Sequence, residues 1–427
     1  MGVYLDALLH TQHRPDGQRW YADPINFAFL AFVASVAERI GRPRLLARVT
    51  PTDTAPDLPQ LDAFEVVELA YYPHLRDLPA VARAATSTVA TFWRELGRLD
   101  IVWAFGPHPF ALILAILALV RGKRVILGVR QDTVEYYRHR LPSRAWKPAL
   151  AVAWLLDVCY RLLARRVPTV VVGERLAHRY SGGKAPVVPI VVSLVRAEDI
   201  AEAPPERDWS GTVELLTIGR LEPEKNPLLL TDVMALLERE RPSRYRLTFV
   251  GSGRLERAVR ERVDELGLNA CVVLRGYVPF GPQLFDLYRR AHAFVHVSLT
   301  EGVPQVLVEA RAFGLPIVAT DVGDVCLALD RGAAGLLVPP RDARAVADAI
   351  VRLTDDGAIR SEVAQAALSL GRGSTLERES ERVARFIARI VVPQLSGETH
   401  DCEAEESVNS PEPVCEVERR KDDDDVR

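Results

Sequence analysis

The stretch AFVHVSLTEGVPQVLVEARAFGLPIVATDVGD, Ala293 to Asp324, holds one whole unit of the fold. An apolar β-branched run ends before Glu301 and Gly302, a helical pattern follows Pro304, and a second apolar run, PIVAT, follows Gly314. Apolar runs without alternation are strands buried on both faces, and a helix between two of them makes them parallel. Pro304 suits a helix's first turn. Two carboxylates interrupt this small and apolar segment. Glu301 follows the strand, whereas Glu309 falls just over a turn into the helix. It shares a face with Val306 and Phe313 and so points toward packed structure.

The same rhythm fills the chain. From Trp209 the runs VELLTIG, YRLTFVG, CVVLRG, AFVHVS, PIVAT and GLLVP alternate with helices starting near Pro227, Arg254, Pro282, Pro304 and Asp342. In the first half VYLDALL, RLLARV, FEVVEL, DIVWAF, KRVILGV, PTVVVG and APVVPIVV alternate with helical patterns. These run over Pro24–Ile40, Leu78–Leu96, His108–Arg121 and Arg144–Arg165, with Asp23 capping the first ahead of Pro24. A chain of 427 residues exceeds one ordinary core. The expected fold class is α/β, with two Rossmann-like doubly wound domains facing across a cleft. The first spans 1–194, a charged, proline-bearing linker 195–210, the second 211–373, and a helix at 374–395 returns to the first. Ligands on such sheets sit at the carboxyl ends of the strands.

The composition, 48% hydrophobic with a net charge of −3, is that of a globular protein and gives no ground for nucleic-acid binding. Residues 396–427 carry 12 Asp/Glu against 4 Lys/Arg and read as a disordered acidic tail. Residues 121–184 carry 14 Lys/Arg against 4 Asp/Glu. Within them the basic 138–166 segment, interleaved with Trp146 and Trp154, suits peripheral contact with an anionic membrane face. A core helix with arginines on its wet face has the same pattern. Cys159, Cys271, Cys326, Cys402 and Cys415 lack metal-ligand spacing and read as reduced thiols of a cytoplasmic protein, the first three in the core. The start MGVYLDALL has neither the basic residues nor the cleavage site of a signal peptide and reads as the first strand. The longest apolar run, Phe110–Val120, has 11 residues, too few to span a bilayer.

After VELLTI comes GRLEPEKNP, where Gly219 permits a sharp exit from the strand and Arg220 and Lys225 are two cations at a strand's carboxyl end. An arginine fork grips phosphate oxygens, and a lysine adds a point charge. Alternatively Glu222 and Glu224 pair these cations and the loop is merely solvated. The amides of Gly302, Val303, Gln305 and Val306, at a helix start, make an anion site. A buried Glu309 beside it needs hydrogen-bond donors, and ribose hydroxyls are suitable. Glu301 would lie beyond the phosphates, where a sugar hydroxyl or a reacting centre would be.

Together with FVGSGRLE and LRGYVP, these motifs resemble, over Glu214–Ala349, the donor-binding half of GT-B glycosyltransferases. The likeness is to the retaining, metal-independent family-4 type, glycosyltransferase group 1. The resemblance implies catalytic roles for Glu301, Arg220 and Lys225. It implies donor contacts at Gly219, Gly251, Gly276, Tyr277, Gly302, Val303, Pro304, Gln305, Val306 and Glu309. It also implies a nucleotide-diphosphate-sugar co-substrate, no further cofactor, no metal, and a sugar or lipid-linked acceptor. No Asp-x-Asp triplet stands at a strand end to hold a divalent ion. The motif VGSGRLE lacks the third glycine of a dinucleotide fingerprint, which argues against a dehydrogenase.

The first half departs from the family. Its usual glycine-rich loop after the first strand is replaced by LHTQHRPDGQRWYADP, with Gly17 alone. A histidine frequent after VILGV is replaced by Arg130, Gln131 and Asp132. His108, in FGPHPF, and Arg130 are the cleft candidates from this half, while His10 and His13 read as surface. Two other classes fit the same sequence: a nucleotide-sugar binding protein without turnover, and a nucleotide-sugar epimerase on this scaffold.

Overall fold

The computed structural model describes residues 1–13, 19–23, 26–53, 61–75, 77–140 and 147–391. Gly17, Pro24, Arg144, Trp146 and the acidic segment with Cys402 and Cys415 lie outside them, as do the side chains of His13 and Lys147.

The first domain's strands are β1 (Gly2–His13), β2 (Arg19–Ala22), β3 (Arg44–Asp53), β4 (Glu65–Leu69), β5 (Ile101–Gly106), β6 (Arg124–Val129), β7 (Thr169–Val172) and β8 (Val187–Ile190). They form one sheet in the order β4-β3-β1-β5-β6-β7-β8, parallel throughout, with β2 antiparallel on β1. Helices α1 (Phe27–Glu38), α2 (Leu78–Glu95), α3 (Pro109–Val120), α4 (Thr133–Arg140), α5 (Lys147–Ala164) and α6 (Glu174–Tyr180) connect them. One apolar core lies on each face, around Phe32, Trp103 and Ile126 on one side and Phe92, Leu114 and Leu127 on the other.

The second domain holds β9 (Val213–Ile218), β10 (Tyr245–Val250), β11 (Val272–Leu274), β12 (Ala293–His296), β13 (Ile317–Thr320) and β14 (Leu336–Val338). All are parallel, in the order β11-β10-β9-β12-β13-β14. Its helices are α7 (Pro227–Glu240), α8 (Glu256–Glu265), α9 (Pro282–Arg290), α10 (Gln305–Ala312), α11 (Val325–Ala328), α12 (Ala343–Asp355) and α13 (Gly357–Gly373). Setting β2 aside, the order of the strands reverses at an inner pair in both parallel sheets, β1/β5 in the first and β9/β12 in the second. Such a switch point opens a crevice at the strand ends, where ligands bind.

The chain crosses between domains twice. Linker residues 195–210 lie along the second domain, with Ala201 N donating to Ala312 O at 2.9 Å. Helix α14 (Leu376–Val391) then returns, burying Val383, Ala384 and Ile387 in the first domain's core. The two crossings are joined where Leu376 N donates to Val195 O at 2.8 Å.

Several expectations need correction. The first strand does not stop after VYLDALL: it runs to His13 and pairs with β2, because Thr11, Trp20 and Tyr21 favour extended pairing. The first helix begins at Phe27, not Pro24. Asp23 caps the preceding turn, accepting from Asn26 N at 2.8 Å, and Asn26 takes the cap position. In the basic region Thr133–Arg140 forms α4 and Lys147–Ala164 forms α5, while the expected start of that helix at Arg144 lies outside the described residues. Cys271 and Cys326 are buried, whereas Cys159 is only half-buried on α5.

Candidate active site

The site of the second domain assembles at its switch point. After β9 the chain enters Gly219–Asn226, and after β12 it reaches Glu301, so the two loops lie side by side. Lys225 Nζ donates a short hydrogen bond to Glu301 Oε1, which also accepts from Ser298 Oγ at 2.5 Å and lies 3.0 Å from His296 Nε2. Burial alone would raise the Glu301 carboxyl. The adjacent Lys225 ammonium and His296 outweigh burial and hold it well below the usual carboxylate range. It therefore stays ionised in a site only 9% exposed. A Cβ at Gly323 (φ 58°) would come within 1.8 Å of the Glu301 carbonyl oxygen, so only glycine lets the two loops meet here.

Arg220 is half in solvent and donates to Glu224 at 3.1 Å, while Glu222 takes Arg254 at 3.0 Å. Of the loop's own carboxylates only Glu224 holds Arg220, so the solvated-loop alternative applies to that cation alone, and Lys225 reaches across to Glu301. Gly302 is exposed, Pro304 caps α10, and Gln305 and Val306 open that helix. Val303 packs against the first domain's core. Gly251 N donates to Gly276 O at 2.7 Å, tying the ends of β10 and β11 together, and Tyr277 beside them is 69% exposed.

Glu309 lies buried on α10, where Tyr288 OH donates to its Oε2 at 2.7 Å. Burial pushes its carboxyl up to about 7 despite that hydrogen bond. Because the folded value is raised, this group's contribution to stability is greatest at low pH and is lost as pH rises from 4.5 through 7.

The first domain presents its own strand ends to the same cleft. Residues after β6 and β7 (Asp132, Arg175 and Arg179) and residues of the second domain (Arg220, Lys225, Glu301 and Asp324) enclose a cavity of about 300 Å³. Arg179 forms a short ion pair with Asp132 and donates to Asp157 Oδ2 at 2.7 Å. Asp157 is buried on α5 and also accepts from Arg161 at 3.0 Å and Tyr180 OH at 2.8 Å.

His108 and Arg130 are held by the first domain itself. Arg130 stacks over Phe29 at 4.1 Å and donates to Asn26 at 2.8 Å. His108 sits at the first sheet's switch point, with Nε2 3.2 Å from Asp6 Oδ2 and Nδ1 3.0 Å from Tyr4 OH. Asp6 lies in a bulge of β1, where three residues oppose one of β3. It accepts from Arg48 Nε and Tyr72 OH, both at 2.9 Å. Burial would raise the Asp6 carboxyl, but His108 and Arg48 bring it down to about 2.

Asp6, Arg48, Tyr72, Arg175, Arg179 and Asp324 escaped the sequence reading, and Asp132 is noted there without a role. They follow, or interrupt, six different strands, Arg175 and Arg179 sharing β7, and only their position near strand ends could have flagged them. Among the described residues no group of three or more His, Cys, Asp or Glu side chains is gathered in a manner that could hold a metal ion.

Residues 212–356 match the family model of glycosyl transferases group 1. The second domain belongs to that family. Curated relatives match a comparable length of chain. The chain is 35% identical over 192 residues to the D-inositol 3-phosphate glycosyltransferase of Pseudarthrobacter chlorophenolicus, covering 42% of this chain and 46% of the relative. It is 37% identical over 179 residues to the enzyme of the same name from Saccharomonospora viridis, covering 40% of each. The chain thus spans about half the length of the curated relatives it matches, or less. Solved structures cover far more. Sucrose-phosphate synthase from Thermosynechococcus elongatus superposes with a TM-score of 0.67 at 16% identity, over 91% of this chain and 98% of that one. HepE from Anabaena, in complex with UDP-glucose, gives 0.63 at 17% identity, over 91% and 100%. The architecture is the GT-B fold: two facing Rossmann-like domains with the group 1 domain as the second.

Proposed function

We propose that this protein is a retaining, metal-independent glycosyltransferase that moves a sugar from a nucleotide-diphosphate-sugar to an acceptor hydroxyl. The observation that carries the reading is the Lys225–Glu301 pair beside Arg220, at the switch point of a group 1 domain and roofed by a second domain. UDP-glucose in HepE, a protein of the same fold, supports this class of donor. The bond from the sugar's anomeric carbon to the diphosphate breaks, and the diphosphate leaves with the electron pair. The acceptor oxygen attacks from the same face and passes its proton to a leaving phosphate oxygen. Arg220 and Lys225 stabilise the charge that gathers there, as fixed cations in a preorganised site. Glu301 orients the sugar, and Glu309 accepts from the ribose hydroxyls.

The test is a nucleotide-sugar panel, read by release of nucleoside diphosphate and by product analysis. Transfer or slow donor hydrolysis supports the reading, with an unchanged anomeric configuration and no loss of rate in EDTA. Binding without turnover would mark a recognition protein. An altered sugar nucleotide formed without acceptor would mark an epimerase.

Glu309 carries its own test. A carboxyl near 7 is about half protonated at pH 7, and ribose hydroxyls favour its ionised form. Nucleotide binding at pH 7 should therefore release up to about half a proton, measured by calorimetry in buffers of differing ionisation enthalpy. Glu309→Gln should abolish that release. Equal release from both proteins would remove Glu309 from the ribose site.

The acceptor reading includes a lipid-linked one. Ile116 on α3 and Val152, Trp154, Leu155 and Leu162 on α5 are large, apolar and exposed, and Arg165, Arg166 and Lys184 border a groove between the helices. No described helix is long and apolar enough to cross a membrane. Surface docking would need both anionic lipid and these apolar side chains. Co-sedimentation with vesicles containing phosphatidylglycerol should fall several-fold for Trp154→Ala/Leu155→Ala. Equal sedimentation with neutral vesicles, or none, removes the contact.

A further inference from the structure

Three of the four cations lining the cleft already face a carboxylate: Arg179 faces Asp132, Lys225 faces Glu301 and Arg220 faces Glu224. Arg175 differs: among the described residues it forms no salt bridge, although the Asp324 carboxyl is near enough to feel its charge. Its side chain is exposed and lines the same cavity. We propose that Arg175 is the first domain's share of a phosphate site, closing on the ligand from the wall opposite Arg220 and Lys225. The proposal rests on the transfer reading for the identity of the phosphate, but not for the existence of the site.

The platform under Arg175 is fixed on both sides. Its own N–H donates to Asp324 Oδ1 of the second domain at 3.3 Å. Two residues earlier, a Cβ at Gly173 (φ 93°) would stand 2.0 Å from Asp324 Oδ2, so glycine is what allows the two domains to touch at this point. One turn later, Arg179 is anchored to Asp132 and to the buried Asp157. The guanidinium at 175 is thus carried on a braced helix at the mouth of the cleft rather than on a free loop.

Arginine's planar fork takes two phosphate oxygens at once. An anion reaching Arg175 has no salt-bridged carboxylate to displace among the described residues, although the Asp324 charge stands nearby, whereas one reaching Arg220 must compete directly with Glu224. Arg175 also stands on the side where a glycine-rich loop is lacking, so a first-domain grip on phosphate would come here from a side chain instead of from loop amides. The phosphate belongs either to the donor's diphosphate or to a phosphorylated acceptor.

The experiment titrates full-length protein, wild type, Arg175→Ala and Arg175→Lys, with UDP, GDP and ADP. Inorganic phosphate is then titrated with and without the best-bound nucleotide. If the phosphate is the donor's, Arg175→Ala weakens the diphosphate about tenfold, the corresponding monophosphate less, and Arg175→Lys recovers part of the loss. If it is the acceptor's, nucleotide affinity is unchanged, but phosphate binding to the nucleotide-loaded protein is lost in Arg175→Ala. Equal affinities of wild type and Arg175→Ala for every ligand would overturn the proposal. Should wild type bind phosphate through Arg175 yet bind no nucleotide, the transfer reading fails and the anion site stands. Because Arg175 is exposed, thermal melting of the variant should match wild type, separating lost binding from lost folding.

Discussion

Lys225→Ala should lower the transfer rate about 100- to 1,000-fold, the typical cost of removing one preorganised group from a developing oxyanion. The same change strands Glu301, which is 9% exposed and loses the ammonium that balances it. Removing one member of a buried pair costs about 3–5 kcal/mol, and the lower end applies here because Lys225 is 24% exposed and Ser298 remains. The pH dependence has a definite sign. Glu301's folded value lies below its ordinary 4.5, so its stabilisation is complete at neutral pH and is lost as pH falls below 4.5. The variant should show a shallower loss of stability over that acid range. Lys225→Arg keeps the charge and separates electrostatics from shape. Stopped-time assays with denaturant unfolding at pH 7 and pH 4 measure both effects. A variant that transfers within tenfold of wild type would show that Lys225 serves only to neutralise Glu301.

Asp157→Ala should be the most destabilising single change in the first domain. Asp157 is 2% exposed and takes hydrogen bonds from Arg179, Arg161 and Tyr180. Without it, two guanidinium groups lose their shared acceptor and the Tyr180 hydroxyl is left unpaired in the core. A loss of about 3–5 kcal/mol follows. For a domain of this size that corresponds to a fall in melting temperature of about 10 °C. Arg161→Ala removes only the solvent-side partner and should cost no more than about 1 kcal/mol. Differential scanning calorimetry of both variants checks the contrast. If Asp157→Ala melts within about 2 °C of wild type, the network contributes placement without stability. Because Arg179 lines the cleft, the variant should also weaken whatever that wall binds, even at temperatures where it remains folded.

The two-domain α/β architecture could be read from the sequence because each buried strand is a continuous apolar run and each helix carries its own punctuation. The group 1 motifs were legible for a related reason. Arg220, Lys225 and Glu301 stand within a few residues of strand ends marked by glycine and proline, and Glu309 follows in the helix that Pro304 opens. The first domain hid its polar residues better. Asp6 reads as an interruption of an apolar strand, and nothing local shows that a bulge turns it toward His108, 102 positions away in the chain. Arg175 and Arg179 have the i, i+4 spacing of any solvated helix face, and only the approach of Asp324 makes them cleft residues. The β1–β2 hairpin was missed because alternating polar residues on an edge strand resemble a loop.

The hydrogen bond between Val195 and Leu376 has a mechanical consequence. Two chain segments joined side by side form a two-ply strap: it bends easily across its width but resists torsion about its length. The halves of this molecule should therefore part like the covers of a book, with the spine at the strap, rather than by corkscrew rotation. In such a motion the contact farthest from the spine separates most, and a substrate enters along the free edge.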